Sequence, residues 1–185
     1  MVEGYEKAFE TNPRPDLRHR IEHCSLTDQN LIDRMAKMNI CPSVNAGLVG
    51  ALGANYEKFY GDRCKYFGAL RSMLDAGIMC SLHSDAPSGP YGLKMIDGAV
   101  NRYDRNKNIQ CDKTQAVSVL EAIRCCTYNG AYASYEEKIK GSIEVGKLAD
   151  MIILSEDITS IDPMDIYNLQ VDLTMIDGKI EYVNE

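Results

Sequence analysis

The sequence predicts an α/β protein, a parallel sheet covered by helices and followed by a small antiparallel β appendage. Between residues 17 and 126, short apolar runs of strand length alternate with stretches whose apolar residues recur at helical spacing, the pattern of strand–helix–strand crossovers. Beyond about residue 140 the helical period gives way to extended runs. Two of these, Val171–Ile176 and Lys179–Val183, are joined by Asp177-Gly178, a strong short-range hairpin signal.

Taken in order, the first sixteen residues are polar and contain Pro13-Arg14-Pro15, which resists helix and central strand alike, so they read as a lead-in. Leu17 to Cys24 has strand length. Thr27 is placed to cap a helix over about 28–38, with Leu31, Ile32, Met35, Ala36 and Met38 as its apolar stripe. Ile40 to Val44 is a second strand whose Pro42 argues against regular pairing throughout. The glycine-rich stretch from Asn45 to about Gly61 is too long for a connector and reads as a functional loop. A helix over about 64–76 should end at Gly77. Ile78 to Leu82 forms the third strand and runs into His83-Ser84-Asp85-Ala86-Pro87. Helices follow at about 93–103 and 115–126, the second with Ala116, Leu120 and Ile123 in register. Met151 to Leu154 opens the β appendage.

The chain has 185 residues and a formal net charge of −7, with 45% hydrophobic and 25% charged residues, which is globular usage. The acidic balance argues against a nucleic-acid partner, because phosphate binding wants a basic face. No apolar run approaches the ~18 residues of a membrane span, and Met1 to Lys7 lacks the basic and apolar regions of a secretory signal. Seven cysteines include no Cys-x-x-Cys and sit mainly in apolar stretches. They read as free, buried thiols in a reducing cytoplasm, not as a disulfide framework or zinc knuckle.

Few residues offer chemistry. His23 closes the first strand and Asp85 follows the third, and functional side chains in parallel sheets gather at such carboxyl ends. A His and an Asp there can share a metal or act as base and orienter; equally, they can be a buried imidazole and a turn residue. His19 and His23 are four apart on a strand, roughly 13 Å, too far to share an ion. His83 and Asp85 are two apart and, with His23, would make at most three ligands; His83 as a core or supporting residue is the simpler reading. Glu136-Glu137-Lys138 reads as solvated surface, and Tyr128, Tyr132 and Tyr135 as packing or capping residues. There is no Gly-x-Ser-x-Gly and no phosphate-binding glycine loop.

These segments together resemble the metal-dependent amidohydrolase superfamily, in its branch of predicted amidohydrolases and N-acyl deacylase-like enzymes. Arg20-Ile21-Glu22-His23 resembles the end of that family's sixth barrel strand, which implies that His23 is a metal ligand. Leu82 to Pro87 resembles the end of the eighth strand, which implies that Asp85 binds metal and handles the proton of the attacking water. Gly141 to Met151 resembles the run from barrel into β-sandwich, and Val171 to Tyr182 the closing sandwich strands.

The resemblance covers residues 17–183 and implies the last three strand–helix units of a (β/α)8 TIM barrel over 1–140, with part of a β-sandwich over 141–185. It implies hydrolysis of an amide-type carbon–nitrogen bond in a small-molecule substrate, with a divalent metal, zinc above all, as cofactor. The family's His-x-His and fifth-strand His have no counterpart, and no His precedes His19. A (β/α)8 barrel takes about 250 residues. The expectation for these 185 residues alone is therefore an inactive fragment that self-associates through open sheet edges. The alternative is a stand-alone α/β binding or structural module that has lost the chemistry.

Overall fold

Helix α1 (Val2–Thr11) precedes strand β1 (Arg20–His23), α2 (Gln29–Lys37), β2 (Cys41–Val44), α3 (Gly47–Tyr60), α4 (Leu70–Asp75) and β3 (Ser81–Leu82). Then come α5 (Leu93–Asn101), α6 (Val119–Cys126), α7 (Tyr128–Ala133), β4 (Met151–Leu154), β5 (Val171–Ile176) and β6 (Lys179–Val183). This computed structural model describes residues 1–86, 92–103, 108 and 111–184.

The first sheet is parallel in the order β1-β2-β3, as the alternation of strands and helices predicts. β2 is buried at every residue and sits between its neighbours. Its register runs from Arg20 opposite Cys41 to His23 opposite Val44 on one side, and joins Ser43 to Ser81 and Val44 to Leu82 on the other. Pro42 lies before the β2–β3 pairing begins, so its missing N–H breaks no ladder there. Ile32 and Met35 of α2 and Leu70 and Met73 of α4 bury against this sheet. Each such side chain contributes roughly 1.5–3 kcal/mol.

Several elements differ from those the sequence predicts. The polar lead-in is helix α1, held by contacts that only the tertiary fold supplies. Arg34 donates to both carboxylate oxygens of Glu6 at 2.7 and 2.6 Å, the Tyr5 hydroxyl donates to the Arg20 carbonyl at 3.0 Å, and the Tyr5 ring stacks on His19 at 4.6 Å. The cap of α2 is Asp28, whose carboxylate accepts from the Leu31 N–H at 2.8 Å; Thr27 is buried beside it. The helix expected over 64–76 is a 3-10 helix (Gly61–Tyr66) and α4, broken between them at Gly68, whose φ is +54°. The helix expected over 115–126 is likewise split, and α6 starts at the capping box of Ser118 and Glu121. Its buried residues are Ala122 and Cys125, while Leu120 faces solvent.

The stretch taken for a glycine-rich loop is mostly helix α3. Its glycines, and one facing them on α5, permit close backbone approach. A Cβ on Gly50 would lie 2.8 Å from the Tyr103 carbonyl oxygen, and one on Gly98 would lie 2.9 Å from Gly47 Cα and press on the Ala46 carbonyl. Glycine here serves packing between α3 and α5.

Glu137 is not simply solvated. It pairs at 3.0 Å with Arg18, whose guanidinium also meets Asp16 at 2.8 Å and lies over the rings of Tyr132 and Tyr135 at 3.6 and 4.5 Å. Cys64 and Cys111, 47 residues apart, are paired as a disulfide with Cα atoms 5.3 Å apart, against the expectation that all seven thiols are free. The pairing crosses from the 3-10 helix to the segment between α5 and α6, which sequence spacing could not show. The other five cysteines are free, and burial pushes the thiols of Cys24 and Cys126 up to about 12 and those of Cys41 and Cys125 up to about 11.

The second sheet is antiparallel in the order β4-β5-β6, with the hairpin turning at Asp177-Gly178 as the sequence predicts. Between β4 and β5, Ile158, Ile166 and Leu169 join the same core as the parallel sheet. The Asn101 amide anchors this segment by donating to the Pro163 carbonyl at 2.7 Å. Among the described residues no helix is long and apolar enough to cross a membrane.

Two substitutions test this packing. Gly98→Ala should destabilise the chain by about 1–3 kcal/mol in urea unfolding, because α3 and α5 must separate to admit a methyl group. Glu121 carries the second test. Its hydrogen bond to Arg71, then its capping bond to Ser118, hold the carboxyl down at about 2, below its ordinary 4.5. The stabilisation is thus present above pH 4.5 and lost as pH falls toward 2. Glu121→Gln should cost up to about 1 kcal/mol at pH 7, since the pair is partly exposed, and the gap to the parent should narrow from pH 4.5 downward and close as pH falls through about 2.

Candidate metal centre

The three parallel strands end side by side, the place where the loops of α/β sheets build their sites. At the end of β1 the chain turns sharply: His23 has φ +63° and Cys24 φ +42°, and the Cys24 N–H reaches back to the Glu22 carbonyl at 2.8 Å. Asp85, beyond β3, is also left-handed at φ +56°. Left-handed backbone costs an ordinary residue roughly 1–2 kcal/mol and gathers at functional sites.

These turns bring the two predicted residues together. His23 Nε2 lies 3.9 Å from Asp85 Oδ2, and both side chains are close to half exposed. The ring of His83 meets that of His23 edge-on, with centroids 4.7 Å apart and planes at 84°. The backbone N–H of His83 bonds to the Val44 carbonyl at 3.1 Å, which fixes the end of β3 beside β2. Burial first, and then the neighbouring His23, hold the His83 imidazole below its ordinary pKa. His83 Nε2 is buried and has no hydrogen-bond partner among the described residues.

One further residue was not singled out by the sequence. Asn45 directly follows β2, donates through Nδ2 to the Ser84 carbonyl at 3.3 Å, and leaves its buried Oδ1 unpaired among the described residues. The available signal was positional, since it follows β2 as His83 follows β3. His19 stacks on Tyr5 instead of entering the group, in keeping with its spacing from His23. Of the loop from Pro87 to Leu93, expected to shape a pocket, residues 87–91 lie outside those described.

Does this donor set fit a metal ion? Zinc holds imidazole nitrogen and carboxylate oxygen at about 2.0–2.2 Å, which at tetrahedral angles sets them about 3.4 Å apart. The observed 3.9 Å needs only a small side-chain rotation. The unpaired Nε2 of His83 adds a neutral imidazole beside the pair. His23, His83 and Asp85 do not, however, bring three donor atoms within 4.8 Å of one another. Among the described residues the group that does so is Glu57, Cys64 and Cys111.

Known proteins resemble the whole chain. Residues 1–182 match the amidohydrolase family. The chain is 31% identical over 184 residues to the N-substituted formamide deformylase of Arthrobacter pascens, covering 98% of this chain and 34% of that protein. It is 32% identical over 180 residues to YtcJ of Bacillus subtilis (strain 168), covering 95% and 34% respectively. An uncharacterized metal-dependent hydrolase from Pyrococcus horikoshii OT3 shares the fold with a TM-score of 0.74 at 23% identity, over 88% of this chain and 33% of that one. The chain thus spans about a third of the length of the relatives it matches. With a family match over residues 1–182, the chain belongs to the amidohydrolase family.

Proposed function

We propose that the chain is the C-terminal part of a metal-dependent hydrolase of amide-type carbon–nitrogen bonds: the last three strand–helix units of a (β/α)8 barrel and part of its β-sandwich. The observation that carries this reading is the meeting of His23 and Asp85 at 3.9 Å across the ends of β1 and β3. Support comes from family membership and from length, since three parallel strands cannot close a barrel of about eight.

His23 Nε2 and the Asp85 carboxylate would hold the ion, with His83 packed against His23 to fix its ring. A bound divalent ion of the zinc class supplies Lewis acidity, which acidifies water and polarises a carbonyl. Asp85, left-handed at the rim and nearly half exposed, can take a proton from the attacking water and return it to the leaving nitrogen. Asn45, between the two ligand strands, is buried and ties the segment after β3 in place through its bond to the Ser84 carbonyl. The substrate is a small molecule. The formamide deformylase among the relatives makes N-formyl and N-acyl amines the first compounds to try.

The 185 residues alone supply two ligands, too few for a tight hydrolytic ion, so the purified chain should not turn over N-acyl or N-formyl amines with zinc; robust hydrolysis would overturn that. In the longest open reading frame that encodes the chain, Asp85→Asn should lower kcat by about 10²–10⁴-fold with zinc still bound, and parent-like kcat would remove Asp85 from the proton transfer.

The antiparallel sheet exposes Ile152, Ile153, Ile176, Ile180 and Val183, and a three-stranded sheet with uncovered apolar residues favours pairing. Light scattering of the chain alone should therefore give a mass above 20.7 kDa at micromolar concentration, and a clean monomer would count against self-association.

A further inference from the structure

Away from the strand ends, a second group of ligand side chains converges from three segments. Glu57 lies near the end of α3, Cys64 on the 3-10 helix that follows, and Cys111 between α5 and α6. Their donor atoms all lie within 4.8 Å of one another. Glu57 is held in place, because its carboxylate accepts a hydrogen bond from the Cys111 N–H. The two sulfurs lie 4.0 and 3.9 Å from the same carbonyl oxygen, that of Gly53. A cleft of about 550 Å³ opens beside them, and Lys65 lies on its wall.

We infer that, with the two thiols reduced, Cys64, Cys111 and Glu57 form a second divalent-metal site of the zinc class, separate from His23 and Asp85. Zinc takes thiolate sulfur at about 2.3 Å and carboxylate oxygen at about 2.0–2.2 Å, so tetrahedral donors stand about 3.5–3.8 Å apart. The three donors already lie within 4.8 Å of one another, and reduction frees the two sulfurs, bonded to each other here, to separate to that spacing. Two thiolates select zinc over magnesium or calcium, which prefer oxygen. Cys64 is buried at 2% exposure, where a bare thiolate is costly and a dication offsets its charge. Two thiolates and a carboxylate leave one negative charge over a dication, in a cleft whose other lining includes Lys65 and the carboxylates of Asp62 and Asp112.

The disulfide and the ion exclude each other, since sulfurs bonded to one another have no thiolate pair to give. A phosphine reductant breaks the S–S bond: phosphorus gains an oxygen from water and becomes the phosphine oxide, while the two sulfurs receive two electrons and two protons. Metal binding then forms two metal–sulfur bonds and releases those two protons. The site is redox-gated, open when reduced and closed when oxidised.

The test titrates cobalt(II) as the probe into the purified chain, reduced by a phosphine and then moved to anaerobic, reductant-free buffer. One equivalent should produce thiolate-to-cobalt charge transfer in the near ultraviolet with tetrahedral bands in the visible, and zinc should displace both. Cys64→Ser risks misfolding at a buried site, so the half-buried Cys111→Ser carries the test; it should abolish the charge transfer while far-ultraviolet circular dichroism stays as in the parent. Glu57→Gln should weaken cobalt binding about tenfold or more. His23→Ala and Asp85→Ala should leave the signal unchanged, which separates this site from the strand-end centre. The inference is overturned if the reduced chain shows no charge transfer, if the signal survives Cys111→Ser, or if the oxidised chain shows it equally.

Discussion

Backbone pairing of β2 with β1 and β3 sets where chemistry can occur in this chain. All four β2 residues are buried, and a buried backbone must have its N–H and C=O groups paired on both sides. β1 supplies parallel partners to all four and β3 to Ser43 and Val44, so the three strands run in the same direction and end together. His23, Asn45 and His83 leave the sheet at one rim for this reason, and Asp85 follows two residues later. The His23–Asp85 approach is a consequence of register, and sharp left-handed turns at both residues complete it.

The surrounding helices hold that rim through contacts of different kinds. α3 and α5 meet at a glycine-lined crossing where an added methyl group has no space. Arg102, at the end of α5, is buried and donates to the Gly68 and Phe67 carbonyls at 3.1 and 2.9 Å; burial pulls its pKa down to about 10. It thereby satisfies the carbonyls where the chain breaks between the 3-10 helix and α4. Arg18, between two tyrosine rings and two carboxylates, ties the segment before β1 to α7, each ring contact worth roughly 0.5–1 kcal/mol.

Two donor sets of different softness therefore stand on one scaffold. The strand-end group is imidazole and carboxylate, both close to half exposed. The set at the end of α3 is two sulfurs and a carboxylate, closed by a disulfide, and its chemistry depends on redox state. The free cysteines lie outside both groups, and burial raises the thiol pKa values of Cys24, Cys80 and Cys125.

Local chemistry made much of this readable. Helical periodicity marks α2, Gly77 the stop after α4, Asp-Gly the β5–β6 hairpin, and position at strand ends the two residues, His23 and Asp85, that the fold brings to 3.9 Å. Other features depended on partners distant in sequence. α1 looked like a lead-in because its stability comes from Arg34 and Arg20, and α3 looked like a loop because its glycines answer to Tyr103 and α5. The pairing of Cys64 with Cys111 across 47 residues had no sequence signal at all. Side-chain period and chemistry fix the alternation of strands and helices and the residue types that can bind metal. Which of those residues meet follows from register and packing, because no local stretch of chain contains the distance across a sheet end or between helices.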